Sequence, residues 1–412
     1  MSMSGDHILT FILAGGRGQR LEPLTAERPK PAVPMGGVYR LIDFTLSNCV
    51  NSGFLEVHVL VQHLSAELIR HVHEGWRPYF SPARGETLQV LPPQFAQSGG
   101  GYLGTADALF QSRAIVDQAA PQCVVVLSGD HVYKMDYRAM VAFHEGRAAD
   151  LTVGAVIVPR AEGPQFGVLE VGEADRITGF QEKPAEPVSL PDAPDRCLAS
   201  MGVYAFRPAA LLEALRQDSE HPESLHDCGR DLVPRMAESG RVYAFDFRDA
   251  NRSGGIYWRD VGTLDAYYQA NMDLIAVNPE FNLYDAEWPI RGVPFLAPPP
   301  KFVHSEPDRT GMATDSIVSP GCIVSGARVV HSVLGPSVRL HSWSLVEDSV
   351  LFDSVDVGRH ARIRRTIIDA GVRVPEGEHV GHALDRDRSR FLVSPSGIVV
   401  VSREAARQVW PA

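Results

Sequence analysis

The fold of the first half of the chain is decided by the stretch ILTFILAGGRGQRL, residues 8–21. Its apolar run, residues 8–13, predicts a buried strand. Three glycines follow at positions 15, 16 and 18. Glycine lets the backbone approach an anion closely and present its N–H groups to it. The stretch therefore predicts a strand that leads into an anion-binding loop.

Positive side chains are gathered in and just after this loop, at Arg17, Arg20 and Lys30. The loop lacks the Gly-Lys-Ser/Thr ending of a Walker loop and the third glycine and later acid of a dinucleotide fingerprint. A glycine-rich turn after a strand is more often structural, but the added cations favour phosphate binding. We expect a nucleotide phosphate on this loop.

Bulk composition bounds the possible classes of protein. The chain has 412 residues, enough for two domains, with 44% hydrophobic and 22% charged residues. A formal net charge of −11 argues against a nucleic-acid partner. No apolar run approaches the roughly 20 residues of a spanning helix, so we expect no membrane association. Five scattered cysteines without a Cys-x-x-Cys pair favour reduced thiols and a cytoplasmic location over zinc.

Strand and helix patterns alternate after the first loop, which predicts an α/β fold. Residues 41–52 have helical spacing and end at Gly53, and residues 123–127 read as a central strand. Asp130 follows that strand directly, and Asp260 lies in a similar position beside Gly262. Ligands of open α/β sheets bind at the carboxyl ends of strands, so we expect both carboxylates in the site.

Two further loops carry candidate site residues. Gly104 precedes a predicted helix whose N-terminus could receive an anion or a base edge. Lys183 follows Glu182 in a Glu-Lys-Pro turn. A loop lysine taken alone is usually solvated, but beside the other motifs we expect Lys183 to neutralise a sugar phosphate.

The last quarter of the chain contains an internal repeat. Prolines between residues 294 and 307 predict an extended linker, so we divide the chain at 1–280, 281–310 and 311–412. Aliphatic residues recur every sixth position at 317, 323 and 329, and again at 355, 361 and 367, with a phase break between 330 and 350. This pattern predicts a parallel β-helix. Arg362, Arg364 and Arg365 in the repeat either bind an anionic effector or cover a solvated face.

These loops together favour phosphoryl-group chemistry without a protein nucleophile, in which a sugar phosphate oxygen attacks the α-phosphorus of a nucleoside triphosphate. Such a reaction depends on positioning and charge neutralisation. The sequence lacks the His-Glu-x-x-His and Gly-x-Ser-x-Gly motifs of other catalytic classes. We expect Asp130 and Asp260 to hold Mg²⁺, which prefers oxygen ligands. The predicted catalytic residues are Arg17, Lys30, Asp130, Lys183 and Asp260.

A family resemblance covers most of the chain. It rests on the motifs AGGRG (14–18), KPAV (30–33), YRLIDF (39–44), LSNC (46–49), GTAD (104–107), SGDHVY (128–133), EKP (182–184), ASMG (199–202) and WRDVGT (258–263). The first motif is shared by the whole nucleotidyltransferase superfamily. With the later motifs, the chain resembles the ADP-glucose pyrophosphorylases, the bacterial glucose-1-phosphate adenylyltransferases of glycogen synthesis.

The resemblance implies an α/β fold, with a Rossmann-like catalytic domain on a mixed, mostly parallel sheet, followed by a C-terminal left-handed parallel β-helix and assembled as a homotetramer. It implies Mg²⁺-dependent formation of ADP-glucose and pyrophosphate from ATP and glucose 1-phosphate. The predicted ATP-binding residues are Leu13, Ala14, Gly15, Gly16, Arg17, Gly18, Arg20, Lys30, Gly104 and Gly129. The implied glucose 1-phosphate contacts are Tyr102, Gly167, Glu182, Lys183 and Ser200.

Regulation by anionic effectors such as sugar phosphates, AMP or phosphate is also implied. The candidate regulatory residues are Glu27, Arg28, Arg40, Gln62, Gly101, Arg364 and Arg365. Glu27 and Pro34 stand where the enteric type has a lysine and a histidine that help to bind a phosphorylated activator. Because a carboxylate repels a sugar bisphosphate, we expect a different activator or weak activation.

Two competing interpretations remain from the sequence. One is a related nucleotidyltransferase that uses UTP, GTP, dTTP or another sugar phosphate. The other is a non-catalytic regulatory subunit of the same fold, which the presence of Arg17, Asp130 and Lys183 disfavours.

Overall fold

The computed structural model describes residues 7–94, 101–250 and 256–411. The first part alternates strands and helices, as the sequence pattern predicts. In chain order these elements are β1 Ile8–Leu13, β2 Pro34–Met35, β3 Tyr39–Arg40, α1 Leu41–Ser52, β4 Glu56–Leu60, α2 Ala66–Gly75, β5 Thr87–Leu91, α3 Thr105–Gln111, α4 Arg113–Ala119, β6 Cys123–Ser128, β7 His131–Tyr133, α5 Tyr137–Gly146, β8 Leu151–Pro159, β9 Gly167–Val171, β10 Ile177–Glu182, β11 Arg196–Phe206, α6 Pro208–Ser219, α7 Val233–Ser239, β12 Val242–Asp246, β13 Trp258–Asp260 and α8 Leu264–Asp273.

The main sheet has a parallel half that places the first loop. Its strands run in the order β10-β9-β11-β6-β1-β4-β5, and the pairs β6-β1, β1-β4 and β4-β5 are parallel. The chain leaves β1 toward β4 and β5 on one side and returns to β6 on the other. The carboxyl ends of β1 and β6 therefore flank the point where the strand order reverses, which is the ligand-binding edge of such sheets.

The other half of the sheet is antiparallel and is centred on β11. This strand pairs antiparallel with β6, β8 and β9, and β12 joins the edge by pairing parallel with β8. The register of β11 against β8 shifts between Ser200 and Tyr204, where Gly202 has a φ of 66°. The predicted mixed sheet is confirmed, but it is not mostly parallel, because four of its strand pairs are parallel and four are antiparallel. A Cβ on Gly202 would lie 3.6 Å from Cβ of Ser128, so this stretch of β11 lies beside the end of β6.

A short ladder outside the main sheet joins two distant parts of the chain. Strand β13 pairs antiparallel with β7, and Asp260 lies opposite His131. Since β7 follows β6 after two residues, this ladder carries Asp260 to the carboxyl end of β6. Local sequence patterns do not reveal this pairing.

Helix α1 begins and ends as the sequence predicts. The carboxylate of Asp43 accepts a hydrogen bond from the backbone N–H of Arg40 at 2.8 Å, and Gly53 closes the helix with a φ of 76°. The proline-rich segment after residue 280 packs along this helix: the backbone N–H of Arg291 donates to Ser47 at 2.8 Å, and the indole N–H of Trp288 donates to Asn48 at 2.9 Å. The segment is thus packed against the first part of the molecule.

The C-terminal part is a parallel β-helix of three sheets, as expected. Its elements are β14 Lys301–Val303, β15 Ser305–Glu306, β16 Arg309–Thr310, β17 Met312–Thr314, β18 Ile317–Val318, β19 Ile323–Ser325, β20 Arg328–Val330, β21 Val333–Leu334, β22 Arg339–Leu340, β23 Leu345–Glu347, β24 Val350–Leu351, β25 Asp356–Val357, β26 Arg362–Arg364, β27 Thr366–Ile368, β28 Arg373–Val374, β29 His379–Val380, α9 Leu384–Arg388, β30 Leu392–Val393, β31 Val399–Val401 and α10 Arg403–Val409. The first of these strands, β14, lies inside the predicted 281–310 segment.

The coils are not all multiples of six residues. Ile317 pairs with Val333, a step of 16 residues, whereas Val333 pairs with Val350, a step of 17. A coil of three full hexapeptides would have 18. The shorter coils explain the predicted phase break between residues 330 and 350.

One sheet of the β-helix, β18-β21-β24-β27-β31, is apolar on both of its faces. Leu334, Leu351 and Ile368 point into the solenoid and pack in its interior. Their neighbours in sequence, Val333, Val350 and Ile367, point outward and share one buried cluster with α8 and the first loop region. We call these outward residues, with Val400 on β31, the docking ladder. The two domains are therefore joined by a continuous hydrophobic core.

Buried and partly buried ion pairs flank the docking ladder. Arg28, which is 2% exposed, places Nη1 2.9 Å from Oδ1 of Asp369 in the β-helix. Arg403 of α10 approaches the other oxygen of Asp369 at 3.5 Å. Arg40 pairs with Asp353 at 3.0 Å. In the part of the chain that the structure describes, no helix has both the length and the apolar composition needed to cross a bilayer.

Replacing Asp369 with asparagine should destabilise the protein, because Arg28 and Arg403 would lose their shared carboxylate in a buried position. Breaking a buried pair in this way costs about 3 kcal/mol of unfolding free energy. Urea denaturation followed by tryptophan fluorescence at one protein concentration measures the change. The matched control is Asp385→Asn, which removes a fully exposed carboxylate paired with Arg388. Equal stabilities of the two variants would contradict the expectation.

Candidate active site

The loop after β1 is closed by a glycine that no other residue replaces easily. Gly18 has a φ of 64°, and a Cβ at this position would lie 2.9 Å from Cβ of Lys30. The hydroxyl of Thr25 donates to the carbonyl of Gly18 at 3.0 Å. The loop therefore curls against the stem of Lys30, which is 7% exposed.

The ammonium of Lys30 lies between two carboxylates. Nζ is 2.8 Å from Oδ2 of Asp130 and 2.9 Å from Oδ1 of Asp260. Burial alone lowers the pKa of Lys30, but the two carboxylates outweigh it and the pKa lies above the ordinary lysine value. Lys30 is therefore a charged group at neutral pH.

Asp130 remains ionised although its side chain is only partly exposed. Burial raises the pKa of its carboxyl group, but the charges of Lys30 and His131 and a hydrogen bond donated by the Ser128 hydroxyl outweigh it and hold the pKa well below its usual range. The imidazole Nε2 of His131 lies 3.6 Å from Asp130 and 3.8 Å from Asp260.

This cluster has the chemistry of a divalent cation site. Ligand atoms of Asp130, His131 and Asp260 lie within 4.8 Å of one another. The ammonium of Lys30 is a stand-in cation at the same two carboxylates, and Nδ1 of His131 is buried without a partner. Carboxylate oxygens are the ligands that Mg²⁺ prefers. The two predicted metal carboxylates are thus brought together, and the donor set fits.

A cavity of about 730 Å³ opens over the first loop. Nine of the predicted ATP-binding residues line it: Leu13, Ala14, Gly15, Gly16, Arg17, Gly18, Arg20, Lys30 and Gly104. Gly129 instead lies beneath, where a Cβ would be 3.1 Å from the side chain of Ile12. The amides of Ala106 and Asp107 at the start of α3 already donate to the carbonyl of His226, so this predicted helix N-terminus does not offer them to an anion.

A second cavity of about 250 Å³ adjoins the first. Four of the predicted sugar-phosphate residues line it: Gly167, Glu182, Lys183 and Ser200. Tyr102 lies apart from them on the larger cavity, and its hydroxyl donates to the carbonyl of Leu91 at 3.2 Å. Nζ of Lys183 is 2.8 Å from Oε1 of Glu182, and its side chain is about half exposed. Arg20 lines both cavities, whereas Arg17 lines only the larger one.

Several lining residues were missed by the sequence analysis. Asp227 lines both cavities and accepts a hydrogen bond from the Thr105 hydroxyl at 3.0 Å. Tyr204, Trp258 and His131 line the smaller cavity. Trp258 stands inside one of the quoted motifs, but its residue type alone does not indicate that it lines a cavity. Asp227 follows no predicted strand, so nothing in its surroundings marked it.

The candidate regulatory residues fall into three places. Arg28 and Arg40 lie at the domain junction described above, and Glu27 lies 3.4 Å from Arg403 there. Gln62 lines the larger cavity, and its amide donates to the carbonyl of Tyr102 at 3.2 Å beside Gly101.

The arginines of the repeat region lie in two different environments. Arg365 lies 5.9 Å from the ring of Tyr268 on α8 and donates to the carbonyl of Ser396, so it faces the first domain. Arg362 and Arg364 are exposed on β26, on either side of the buried Ile363.

Comparison with known protein families identifies the class of protein to which the chain belongs. Residues 9–277 match the sequence model of the nucleotidyl transferase family, and residues 298–401 match that of the GlmU-like C-terminal hexapeptide family. The first match covers the two cavities and the second covers the β-helix, which is of the left-handed type. The site is that of a nucleotidyl transferase.

Similar proteins of nearly full length identify the family within this class. The chain is 51% identical over 399 residues to a glucose-1-phosphate adenylyltransferase of Rhodopirellula baltica, covering 96% of this chain and 90% of the relative. It is 49% identical over 400 residues to that of Methylococcus capsulatus, covering 97% and 94%. It is 50% identical over 396 residues to that of Shewanella amazonensis, covering 96% and 94%. The chain belongs to the glucose-1-phosphate adenylyltransferase family.

Substituting Gly18 with alanine should lower stability, because the left-handed backbone and the contact with Lys30 both oppose a Cβ. We expect a loss of about 1–2 kcal/mol of unfolding free energy. Gly16→Ala is the matched control in the same loop, since a Cβ there meets nothing within 4 Å. Urea denaturation compares the two variants. An equally stable Gly18→Ala protein would show that the loop is not held by this glycine.

Proposed function

We propose that the protein transfers the adenylyl group of ATP to glucose 1-phosphate, giving ADP-glucose and pyrophosphate. The relatives of nearly full length carry this name. The observation that carries the proposal is that two cavities of unequal size meet at the Lys30, Asp130 and Asp260 cluster. The larger cavity suits a nucleoside triphosphate and the smaller one a sugar phosphate.

The chemistry needs no protein nucleophile. A phosphate oxygen of glucose 1-phosphate bonds to the α-phosphorus of ATP, and the bond from that phosphorus to the bridging oxygen of pyrophosphate breaks, the electron pair leaving with pyrophosphate. The glycine loop binds the triphosphate, and Arg17 and Arg20 neutralise it. Because Arg20 lines both cavities, it is suited to the charge that develops between the substrates.

The acceptor is held by the smaller cavity. Lys183 offsets the charge of the sugar phosphate, which lets two anions approach each other. Glu182 keeps the ammonium of Lys183 at the cavity mouth through their contact at 2.8 Å. Ser200 and the backbone at Gly167 border the space that the glucose ring fills. These groups orient the attacking oxygen.

Asp130 and Asp260 are the residues that would hold Mg²⁺. When bound, the cation supplies positive charge to the phosphates of the reacting nucleotide. The two carboxylates already lie at the boundary of the two cavities, close enough to share one ion. Their placement by β6 and by the β7-β13 ladder supports the assignment.

Pyrophosphate release tests the proposed substrates directly. The protein should release pyrophosphate fastest with ATP and glucose 1-phosphate, when measured against UTP, GTP and dTTP and against other sugar 1-phosphates. A preference for another triphosphate would favour the related nucleotidyltransferase. No release with any pair would favour the non-catalytic subunit.

Variants show whether the activity belongs to this site. Asp130→Asn should lower the rate by at least about 100-fold, because the carboxylate pair loses one charge. Asp117→Asn, on the exposed face of α4, is the matched control and should keep the full rate.

We extend the same proposal to the regulation, assembly and cellular role of the protein. We expect a cytoplasmic homotetramer that serves glycogen synthesis and responds to anionic effectors. Five cysteines that are all buried and free support a reducing compartment. The candidate effector region is the domain junction at Arg28 and Arg40, where cations of the first domain meet the β-helix.

Fructose 1,6-bisphosphate should activate weakly or not at all. The carboxylate of Glu27 lies 3.4 Å from Arg403 and both neutralises that cation and repels a bisphosphate. Titration of the initial rate measures the effect, and Glu27→Lys should increase activation. Glu173→Lys, at the exposed β9–β10 connection, is the matched control. Strong activation of the unmodified protein at low concentration would refute the expectation.

A further inference from the structure

The ammonium of Lys30 is placed where a metal ion would be. It contacts one oxygen of Asp130 at 2.8 Å and one of Asp260 at 2.9 Å. The same two carboxylates belong to the cluster that could hold a divalent cation. Lys30 is nearly inaccessible to solvent, whereas the side chains of Asp130 and Asp260 are partly exposed at the two cavities.

A divalent cation and Lys30 compete for the same ligands. With the ammonium in place, the pair of carboxylates carries a combined charge of −1 instead of −2. A cation that enters would meet the positive head of Lys30 within a few ångströms, and like charges repel strongly at that distance in a partly buried site. The ammonium therefore weakens the binding of a cation to the two carboxylates until it moves away.

We infer that Lys30 excludes a divalent cation from the Asp130–Asp260 pair while the nucleotide cavity is empty. The inference rests on the proposed function, because the triphosphate is the ligand that would draw Lys30 away. The metal would then enter with the triphosphate and not before it.

The ammonium of Lys30 has an alternative position in the larger cavity. Its stem is fixed against Gly18, but the side chain also lines the larger cavity beside Arg17. A lysine head moves on a flexible four-carbon stem. The ammonium can turn from the carboxylates to a phosphate on the loop without displacement of the loop itself.

Mn²⁺ binding to the nucleotide-free protein tests this without any turnover. Electron paramagnetic resonance counts free Mn²⁺ during a titration of the full chain. Lys30→Met keeps the length of the stem and removes the charge, so it should bind Mn²⁺ at least about tenfold more tightly than the unmodified protein. The double variant Lys30→Met with Asp130→Asn should lose this gain, which assigns it to the carboxylate pair.

The matched control is Lys301→Met, which makes the same change at an exposed lysine on β14. It should leave the affinity for Mn²⁺ unchanged. Circular dichroism verifies that each variant is folded, and Lys30→Gln replaces Lys30→Met if that protein does not fold.

Equal or weaker Mn²⁺ affinity of the Lys30 variant would overturn the inference, since Lys30 would then be neutral toward the metal or would support it. The pyrophosphate assay on the unmodified protein is independent of this result. A protein that makes ADP-glucose but shows no gain in Lys30→Met retains the proposed function and loses only the exclusion by Lys30.

Discussion

The contact of one buried ammonium with two carboxylates joins the parts of the site. Lys30 comes from the tail of the first loop, Asp130 from the end of β6 and Asp260 from β13. These residues are far apart in sequence, and the sheet brings them to one edge. Two negative charges at this edge would repel each other without the lysine between them. In the absence of a nucleotide, the ionic cluster therefore links the loop, the central strand and the β7-β13 ladder to one another.

The first loop is also held from the side of the β-helix. Arg28 precedes Lys30 by two residues and is buried against Asp369 of the second domain. The same short stretch thus contacts Asp130 and Asp260 at one end and the domain junction at the other. Because the docking ladder makes the two domains share one core, a change at the junction has a short covalent path to the site.

Much of this arrangement could be predicted from sequence because it depends on local patterns. The apolar run before Gly15 predicted β1, the spacing of α1 and its terminal Gly53 predicted that helix, and the apolar repeat predicted the β-helix. The glycine loop and the family motifs also predicted many of the residues that line the two cavities, nine of the ten assigned to ATP and four of the five assigned to the sugar phosphate.

What escaped prediction depends on contacts between distant residues. Local sequence spacing does not indicate the ladder that sets Asp260 opposite His131. It also does not indicate that Asp227 lines the cavities. Tyr102 was grouped with the sugar-phosphate residues but lies on the other cavity. The six-residue period also hid the true coil length, because coils of 16 and 17 residues drift out of phase with it.

The docking ladder makes one sheet of the solenoid far less tolerant of length changes than a solenoid usually is. In its strands of two or three residues, a side chain that faces inward lies next to one that faces the catalytic domain. A single inserted residue there would exchange the two faces. After such an exchange, the pair Val350 and Leu351 would still place an apolar side chain on each face. The shapes of the two side chains would no longer match the interior of the solenoid or the catalytic domain. Insertions belong in the turns, as in the long coil that carries α9 and β30 between β27 and β31.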